Sequence, residues 1–450
     1  MQIIPLLPLA LLAAPAFAAP AQEVPSPERL KATVTRLVAF GTRHTASSRT
    51  DPVRGIGAAR NWTATQFAGI GKACGGCLTV ERIDRKFTGP RAPAGVIVED
   101  VLGIQRGSDP DRYVIVGGHI DSIVGDVMDA NADAPGANDD ASGVALVLEA
   151  ARLLSKHKFK ATIVYAVFSG EEQGLWGGTL LAETAKARGW HIDAMLNNDI
   201  VGSSVGQGGV RVADRVRVFS EGARADESLT EAMTRRAEGG EDDGSSRALA
   251  KAIDLVAEAI PGGLDVKVER RPDRFGRGGD HEAFLALGSP AVRFTVAAEN
   301  WDRQHQYVRT ENGRSYGDTI EGVDFDYLSK VTAINIATLA RLADAPAAPM
   351  RVGLSGALSR DVTVSWPSVA DAVAYKVYWR PNDTVAWSAS RPVAGATSTV
   401  LADTPVDDNF FGVAAVAADG AESLVTFGGR APPAPPRPAA APTPSLAQRQ

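Results

Sequence analysis

The sequence predicts an α/β fold, in which a largely parallel sheet is covered by helices on both faces, followed by a small all-β sandwich. Short apolar runs alternate with amphipathic segments over most of the chain before residue 344, as in repeated strand–helix units. A linker rich in alanine and proline, residues 344–349, interrupts that alternation. Beyond the linker, short runs alternate between apolar and polar residues, as the strands of a sandwich do.

The overall composition is that of a folded protein. A length of 450 residues allows two domains, and 44% of the residues are hydrophobic while 22% are charged. The formal net charge is −6, and the chain contains no basic run. Because nucleic acids are bound largely through excess Lys and Arg, we expect no nucleic-acid partner.

The first 18 residues are predicted to be a signal peptide. Ile3–Leu12 forms a short apolar core, and residues 16–18 read Ala-Phe-Ala, an A-x-A cleavage signal. This core is too short to span a bilayer comfortably, and no later segment has the length and hydropathy of a membrane span. We therefore expect an exported protein, periplasmic or secreted, without a transmembrane segment after signal removal. Because residues 1–2 carry no Lys or Arg, an apolar anchor that stays attached remains the alternative.

Residues 19–344 are predicted to form the catalytic domain. Its first part, residues 25–90, has a mostly helical pattern of apolar and polar residues. Strands and helices then alternate, and the apolar run 113–118 ends in two glycines, as a buried parallel strand often does. The predicted strands are 113–118, 161–168, 194–201 and 291–297, and the predicted helices are 142–157, 175–188, 245–260 and 325–343.

Residues 345–430 are predicted to form the β-sandwich, which we expect to be accessory to the chemistry. Runs of period-two alternation occur at 362–366, 375–379 and 411–416. The spacing of Trp366, Tyr375 and the segment 411–420 resembles a fibronectin type III domain. The final residues, 431–450, are rich in proline and are predicted to be extended or disordered.

The two cysteines, Cys74 and Cys77, form a single C-x-x-C. Structural zinc requires four ligands, so one such pair is a poor zinc site. In an exported chain, a disulfide that closes a small loop is favoured over a redox pair of the thioredoxin kind.

Four short segments bring carboxylates and histidines to the predicted strand ends. They read GHIDS at 118–122, GANDDASG at 136–143, SGEEQG at 169–174 and NNDIVG at 197–202. Ligands collect at the carboxyl ends of strands in a parallel α/β sheet, so one rim could hold all four segments. Each segment alone is commonly a surface loop or a helix cap, but the four together in this order predict a site.

The residue types indicate a two-metal hydrolase. Zinc accepts imidazole nitrogen and carboxylate oxygen, and two zinc ions can hold an attacking water and a substrate carbonyl. Such a centre needs a separate carboxylate to take the proton of the water, and adjacent Glu171 and Glu172 can divide metal binding and proton transfer. Asp121 lies two residues after His119, where it can orient that imidazole.

The four motifs resemble those of the zinc exopeptidase family that includes bacterial leucyl aminopeptidase and glutamate carboxypeptidase. The resemblance covers roughly residues 90–340 and implies a mixed, largely parallel sheet and two Zn²⁺ ions per chain. It implies Glu171 as the general base and later the general acid. The implied metal ligands are His119 and Asp199 on one ion, Glu172 and His305 on the other, and Asp139 between them.

The late histidine is the ligand with an open alternative. His305 follows the predicted strand 291–297 and precedes Asp318-Thr319, as in the family, but Gln304 and Gln306 replace the usual neighbours. His281 follows Asp280 in a segment that resembles a family motif near the site without binding metal. We therefore favour His305.

These observations predict an exported di-zinc aminopeptidase that hydrolyses the N-terminal peptide bond of peptide substrates. A metallo-carboxypeptidase that reads a carboxylate through Arg293, Arg303 or Arg309, a glutaminyl cyclase, and a receptor-like binding protein without catalysis are the alternatives. The G-x-S-x-G at 202–206 is not followed by a predicted helix, as a serine-hydrolase elbow requires. The sequence leaves the oligomeric state open.

Overall fold

The computed structural model describes residues 24–431. The predicted signal peptide lies outside these residues, as does the proline-rich tail apart from Ala431. The helices are α1 (Pro27–Val38), α2 (Ile56–Ala73), α3 (Ala141–Leu154), α4 (Glu171–Gly174), α5 (Trp176–Ala187), α6 (Leu229–Glu238), α7 (Ser245–Glu258), α8 (Glu282–Leu285) and α9 (Phe325–Asp344).

The first part of the chain is built around an eight-stranded mixed sheet. Its strands are β1 (Leu78–Gly89), β2 (Ala92–Gln105), β3 (Arg112–His119), β4 (Thr162–Phe168), β5 (His191–Asn198), β6 (Arg215–Phe219), β7 (Asp265–Glu269) and β8 (Ala291–Val296). Their order across the sheet is β1-β2-β4-β3-β5-β8-β6-β7. Strands β3, β4, β5 and β8 are mutually parallel, whereas β2 and β6 pair with this block in antiparallel fashion. A separate two-stranded hairpin follows, formed by β9 (Arg309–Glu311) and β10 (Arg314–Tyr316).

Helices cover both faces of the sheet, which confirms the predicted fold class. On one face, α1, α2, α3, α7 and α9 contribute to one hydrophobic core, and on the other face α5 and α8 contribute to a second. The central strands β3 and β4 are buried along their whole length. This is the burial expected of parallel strands that are covered on both sides.

The predicted helical character of residues 25–90 is wrong in its last part. Helices α1 and α2 lie there, but residues 78–89 form β1, which pairs with β2 as a long antiparallel hairpin. Strand β1 is the edge of the sheet and most of its residues are at least partly exposed. Its many charged side chains obscure the alternation that would have indicated a strand.

The last part of the chain forms a seven-stranded arrangement of β11 (Val352–Ser355), β12 (Val362–Ser365), β13 (Ala374–Pro381), β14 (Ala389–Ala394), β15 (Ser398–Leu401), β16 (Asn409–Val416) and β17 (Thr426–Arg430). Trp366 and Tyr375 are buried in its core, where their rings lie 5.2 Å apart. This confirms the predicted all-β unit after the α/β part.

Two further features bear on the sequence predictions. Cys74 and Cys77 are joined by a disulfide that closes the short loop between α2 and β1. Within residues 24–431, no helix combines the length and the hydropathy needed to cross a membrane.

Candidate metal centre

The site lies where β3, β4 and β5 end. His119 is the last residue of β3, the Glu171–Glu172 pair opens α4 two residues after β4, and Asp199 directly follows β5. Because parallel strands carry their carboxyl ends to the same edge, three segments distant in sequence meet there.

The loop before α3 brings Asp139 to this edge. The peptide between Asp139 and Asp140 is cis. The Asp140 carboxylate caps α3 by accepting the N–H of Gly143 at 2.9 Å, and it also accepts the N–H of His119 at 3.0 Å. Asp318 holds the other side of the loop, since its carboxylate accepts the backbone N–H of Asn138 and of Asp139, the latter at 2.7 Å. These contacts fix the backbone on both sides of Asp139, whose side chain faces the site and accepts a hydrogen bond from Nε2 of Gln304 at 3.2 Å.

Asp121 lies beside the imidazole of His119, the ring that it was predicted to orient. His119 Nδ1 lies 3.1 Å from the backbone carbonyl of Asp121 and 3.7 Å from its carboxylate. The carboxylate also accepts the N–H of Glu172 at 3.1 Å and the hydroxyl of Thr45 at 3.1 Å. Asp121 thus fixes both the imidazole ring and the turn that carries Glu171 and Glu172.

Asp199 is held by a buried arginine. Its Oδ2 lies 2.9 Å from Nη2 of Arg293, which is fully buried on β8 and also contacts Asp273 at 3.1 Å. Burial acts to lower the pKa of Arg293, but Asp199 and Asp273 outweigh it and raise that pKa. The guanidinium leaves the other oxygen, Oδ1, directed at His119 Nε2, 3.8 Å away.

The late histidine at the site is His305. Its Nε2 lies 3.0 Å from Asp139 Oδ2 and 3.1 Å from Glu172 Oε1. His305 has φ +51, an uncommon conformation for a residue other than glycine and one that is found preferentially at functional sites. His281 is buried elsewhere, and its Nε2 lies 2.9 Å from the carbonyl of Pro272.

The side chains form two adjoining groups whose ligand atoms lie within 4.8 Å of one another in each group. The groups are His119, Glu171 and Asp199, and Asp139, Glu172 and His305. Asp139 connects them, since its Oδ1 is 3.1 Å from His119 Nε2 while its Oδ2 is 3.0 Å from His305 Nε2. All five residues predicted as metal ligands, and Glu171, therefore meet in one place.

Unsatisfied polar atoms show that a cation fits between these groups. His119 Nε2, Glu172 Oε1 and His305 Nε2 are buried, and although these atoms have close neighbours in the site, none of them makes a hydrogen bond of suitable geometry within residues 24–431. A buried polar atom without a hydrogen bond costs folding free energy. Three such atoms that face one space therefore indicate that a cation would occupy it. Imidazole and carboxylate donors of this kind suit zinc.

The charges at the site shift the affinities of its groups for protons. Burial acts to raise the pKa of Asp139, but contacts with His119 and His305 outweigh it and hold that pKa well below its usual range. Burial raises the pKa of the Glu171 carboxyl well above its usual range, and the carboxylates of Asp199 and Glu172 raise it further against the opposing effect of His119. Glu171 is thus the candidate group for proton transfer at the site.

The site opens into a cavity of about 890 Å³. Asp139, Glu171, Glu172, Asp199 and His305 line it, together with side chains that sequence reasoning did not identify, among them Arg91, Arg274, Arg277 and Trp301. Nothing in the sequence around Arg91 indicated the site, because the hairpin that carries it was not recognised.

The fold and the site together are those of a metal-dependent hydrolase. The family model for peptidase family M28 matches residues 100–339, which include all seven candidate residues. A probable zinc metalloprotease of Pyrenophora tritici-repentis (strain Pt-1C-BFP) is 42% identical over 89% of this chain and 84% of its own length. A second, from Leptosphaeria maculans, is also 42% identical, over 89% of this chain and 94% of its own. The chain belongs to peptidase family M28.

Solved structures share the fold at low sequence identity. An aminopeptidase from Aneurinibacillus sp. strain AM-1 is 16% identical, with a TM-score of 0.50 over 71% of this chain and 94% of that one. A glutaminyl cyclase from Porphyromonas gingivalis is 17% identical, with a TM-score of 0.50 over 71% of this chain and 99% of that one. Since enzymes of two activities share this fold, the fold alone does not select between them.

Proposed function

We propose that this chain is an exported aminopeptidase that uses two zinc ions to hydrolyse the N-terminal peptide bond of peptides. One observation carries the proposal. The two oxygens of Asp139 face two separate histidines, one in each ligand group, while Glu171 lies beside them on the wall of the cavity.

The donor atoms support two ions. His119 and Asp199 would hold one, Glu172 and His305 the other, and Asp139 would contact both. The relatives named probable zinc metalloproteases support zinc as the metal. When bound, a zinc pair supplies Lewis acidity toward the attacking water and the scissile carbonyl.

The residues of the chain supply the proton transfers and the positioning. Glu171 accepts the proton of the attacking water and later donates it to the leaving amine. Asp121 is a positioning residue, because its carbonyl fixes the ring of His119 and its carboxylate fixes the Glu172 N–H beside Glu171. The elevated pKa of Glu171 suits a group that both accepts and returns a proton.

A carboxypeptidase and a receptor without catalysis have less support. A carboxypeptidase was expected to use Arg293, Arg303 or Arg309, but Arg293 is buried against Asp199 and Arg303 donates to Thr319. Arg309 lies outside the lining of the cavity and donates to Gln306. A receptor without catalysis would not need a complete ligand set beside Glu171.

We also propose the division into a catalytic domain, residues 19–344, and an accessory fibronectin type III-like domain, residues 345–430. The order β14-β13-β16-β17 beside β11-β12-β15 supports this, since it pairs the strands as in a sandwich of that kind. Export is proposed from residues 1–18.

The test of the proposed function compares the parent with Glu171→Gln on peptides with a free amine and on the same peptides with the amine blocked. We expect about two zinc ions per chain, cleavage only of the free-amine peptides, and loss of activity on chelation. Glu171→Gln should still bind zinc but lose about 100-fold or more in kcat, because only the proton transfer is removed.

The matched control is Glu183→Gln, which removes an exposed carboxylate of α5 that pairs with Arg85. This variant should retain both zinc and activity. An E171Q protein that binds zinc and cleaves as fast as the parent would refute the role of Glu171. Equal cleavage of blocked peptides would refute an aminopeptidase.

A further inference from the structure

Three arginines line the cavity beside the candidate metal centre, Arg91, Arg274 and Arg277. Two of them are paired with carboxylates of the protein. Arg274 contacts Asp273 at 3.1 Å and Glu299 at 3.3 Å, and Arg277 contacts the same Glu299 at 2.7 Å. Both guanidiniums are therefore anchored in the wall of the cavity by ion pairs.

Arg91 differs from the other two arginines. Its Nη1 donates to the backbone carbonyl of Glu172 at 2.6 Å, and among residues 24–431 no carboxylate is paired with it. The residue is exposed although it lines the cavity. An unpaired guanidinium thus lies beside the residue that follows the proposed general base.

The hairpin β1–β2 holds Arg91 in that place. Arg91 lies in the turn between the two strands, and Phe87 near that turn stacks on Trp176 with ring centres 5.4 Å apart. Gly89 permits the close approach, because a Cβ there would lie 2.9 Å from the Trp176 ring. Trp176 begins the helix that directly follows α4, so the turn is packed against the element that carries Glu171.

From these contacts we infer that Arg91 binds a carboxylate of the substrate and so selects peptides that carry one close to the scissile bond. The inference rests on the proposed peptidase function. A guanidinium offers parallel N–H donors whose geometry matches a carboxylate, and one bond to a carbonyl leaves the remaining donors available. The carboxylate would come either from the C-terminus of a short peptide or from an Asp or Glu side chain near the cleaved bond.

The experiment uses four dipeptide substrates that share one neutral N-terminal residue. Two have Gln as the second residue, with a free C-terminus or a C-terminal amide, and two have Glu there, with the same two ends. We expect the parent to favour a carboxylate over the matching amide, and Arg91→Gln to raise KM for the carboxylate substrates by about tenfold or more. The Gln amide substrate, which has no carboxylate, should keep its kcat and KM.

The pattern among the four substrates identifies the source of the carboxylate. If KM of R91Q rises only for the substrates with a free C-terminus, Arg91 binds the C-terminal carboxylate. If it rises only for the Glu substrates, Arg91 binds the side-chain carboxylate. Arg82→Gln, on the same hairpin but paired with Glu99 at 2.9 Å, is the control and should leave all four rates unchanged. Zinc content and the thermal midpoint of R91Q verify that the site is intact.

Two results would overturn the inference. If R91Q loses activity equally on all four substrates, Arg91 has only a structural role through the carbonyl of Glu172. A parent enzyme that does not discriminate a carboxylate from an amide would also contradict the inference. Failure of the proposed function is distinguishable. A chain without peptidase activity would cleave none of the four peptides, and the inference would fall with it, whereas a peptidase other than an aminopeptidase would also cleave these peptides with their amine blocked.

Discussion

The charged form of a side chain buried in this protein is favourable where an opposite charge contacts it. Arg293 satisfies this requirement, because two carboxylates, Asp199 and Asp273, contact its buried guanidinium. Glu221 has no cation in ion-pair contact with it in the described part of the chain. It is only 6% exposed, and burial raises the pKa of its carboxyl to about 7. Its negative form is therefore disfavoured in the folded state.

Glu221 should make the folded state less stable as pH rises. The pKa of Glu221 is 4.5 in the unfolded chain and about 7 in the folded chain. The contribution of protonated Glu221 to the free energy of unfolding is therefore complete below pH 4.5 and is lost as the pH rises through 7. We therefore expect the free energy of unfolding of Glu221→Gln, measured by urea unfolding, to rise by about 2 kcal/mol relative to that of the parent as the pH increases from about 5 to about 8.

The control for this prediction is Glu231→Gln. Hydrogen bonds from Ser228 lower the pKa of Glu231 to about 2, so its stabilising effect is already complete above 4.5. The difference between E231Q and the parent should therefore stay constant over the same pH range. An E221Q difference that is equally constant would contradict the proposed cause.

At the scale of elements, the start of α3 joins three parts of the site. The Asp140 carboxylate accepts N–H groups from Gly143 on α3, from His119 at the end of β3 and from Ile200 after β5. A Cβ on Gly143 would lie 2.2 Å from the carbonyl oxygen of Asn198, so only glycine allows the helix to approach β5 this closely. The position of Asp139 depends on this packing.

Gly143→Ala should therefore destabilise the fold by about 2 kcal/mol or more and weaken zinc binding. The reason is that α3 must shift away from β5, which displaces Asp140 and with it Asp139. Thermal unfolding and zinc titration measure the two effects. Gly69→Ala is the matched control, because no atom lies within 4 Å of its Cβ position on α2. It should be neutral or stabilising by up to about 1 kcal/mol, and a similar result for G143A would refute the packing argument.

At the scale of the whole molecule, the β-sandwich is joined to the α/β part through buried charge. Arg380 on β13 is 1% exposed and contacts Asp243, which also pairs with Lys251 of α7 at 2.6 Å. The Lys251 ammonium lies 5.0 Å from the ring centre of Trp387 in the sandwich. The two parts thus share a closed network, which favours a fixed arrangement over a loose tether.

Arg380→Ala should destabilise the whole chain by about 3 kcal/mol, because it leaves Asp243 buried with one of its two cationic partners. Arg360→Ala is the control in the same sandwich, since Arg360 and Asp403 form an ion pair with side chains 83% and 76% exposed. Its loss should cost less than about 1 kcal/mol. Equal midpoints of R380A and R360A in thermal unfolding would show that the network does not couple the two parts.

The sequence by itself determined the α/β class, the central strands and the four motifs, because long apolar runs and helical spacing are local signals. It also brought forward every residue of the two ligand groups, five of them through the motifs at strand ends and His305 through the resemblance to the zinc exopeptidases. It did not predict β1, whose polar character reflects its edge position, nor β2 beside it, nor the antiparallel attachment of β6. Tertiary structure alone decided which groups surround the ligands. Pairings of distant segments bring these groups to the site: Asp318 to Asp139, Arg293 to Asp199 and Arg91 to Glu172. Such contacts leave no periodic trace in the chain, because hydrogen bonds and ion pairs depend on distance in space and not on spacing along the sequence.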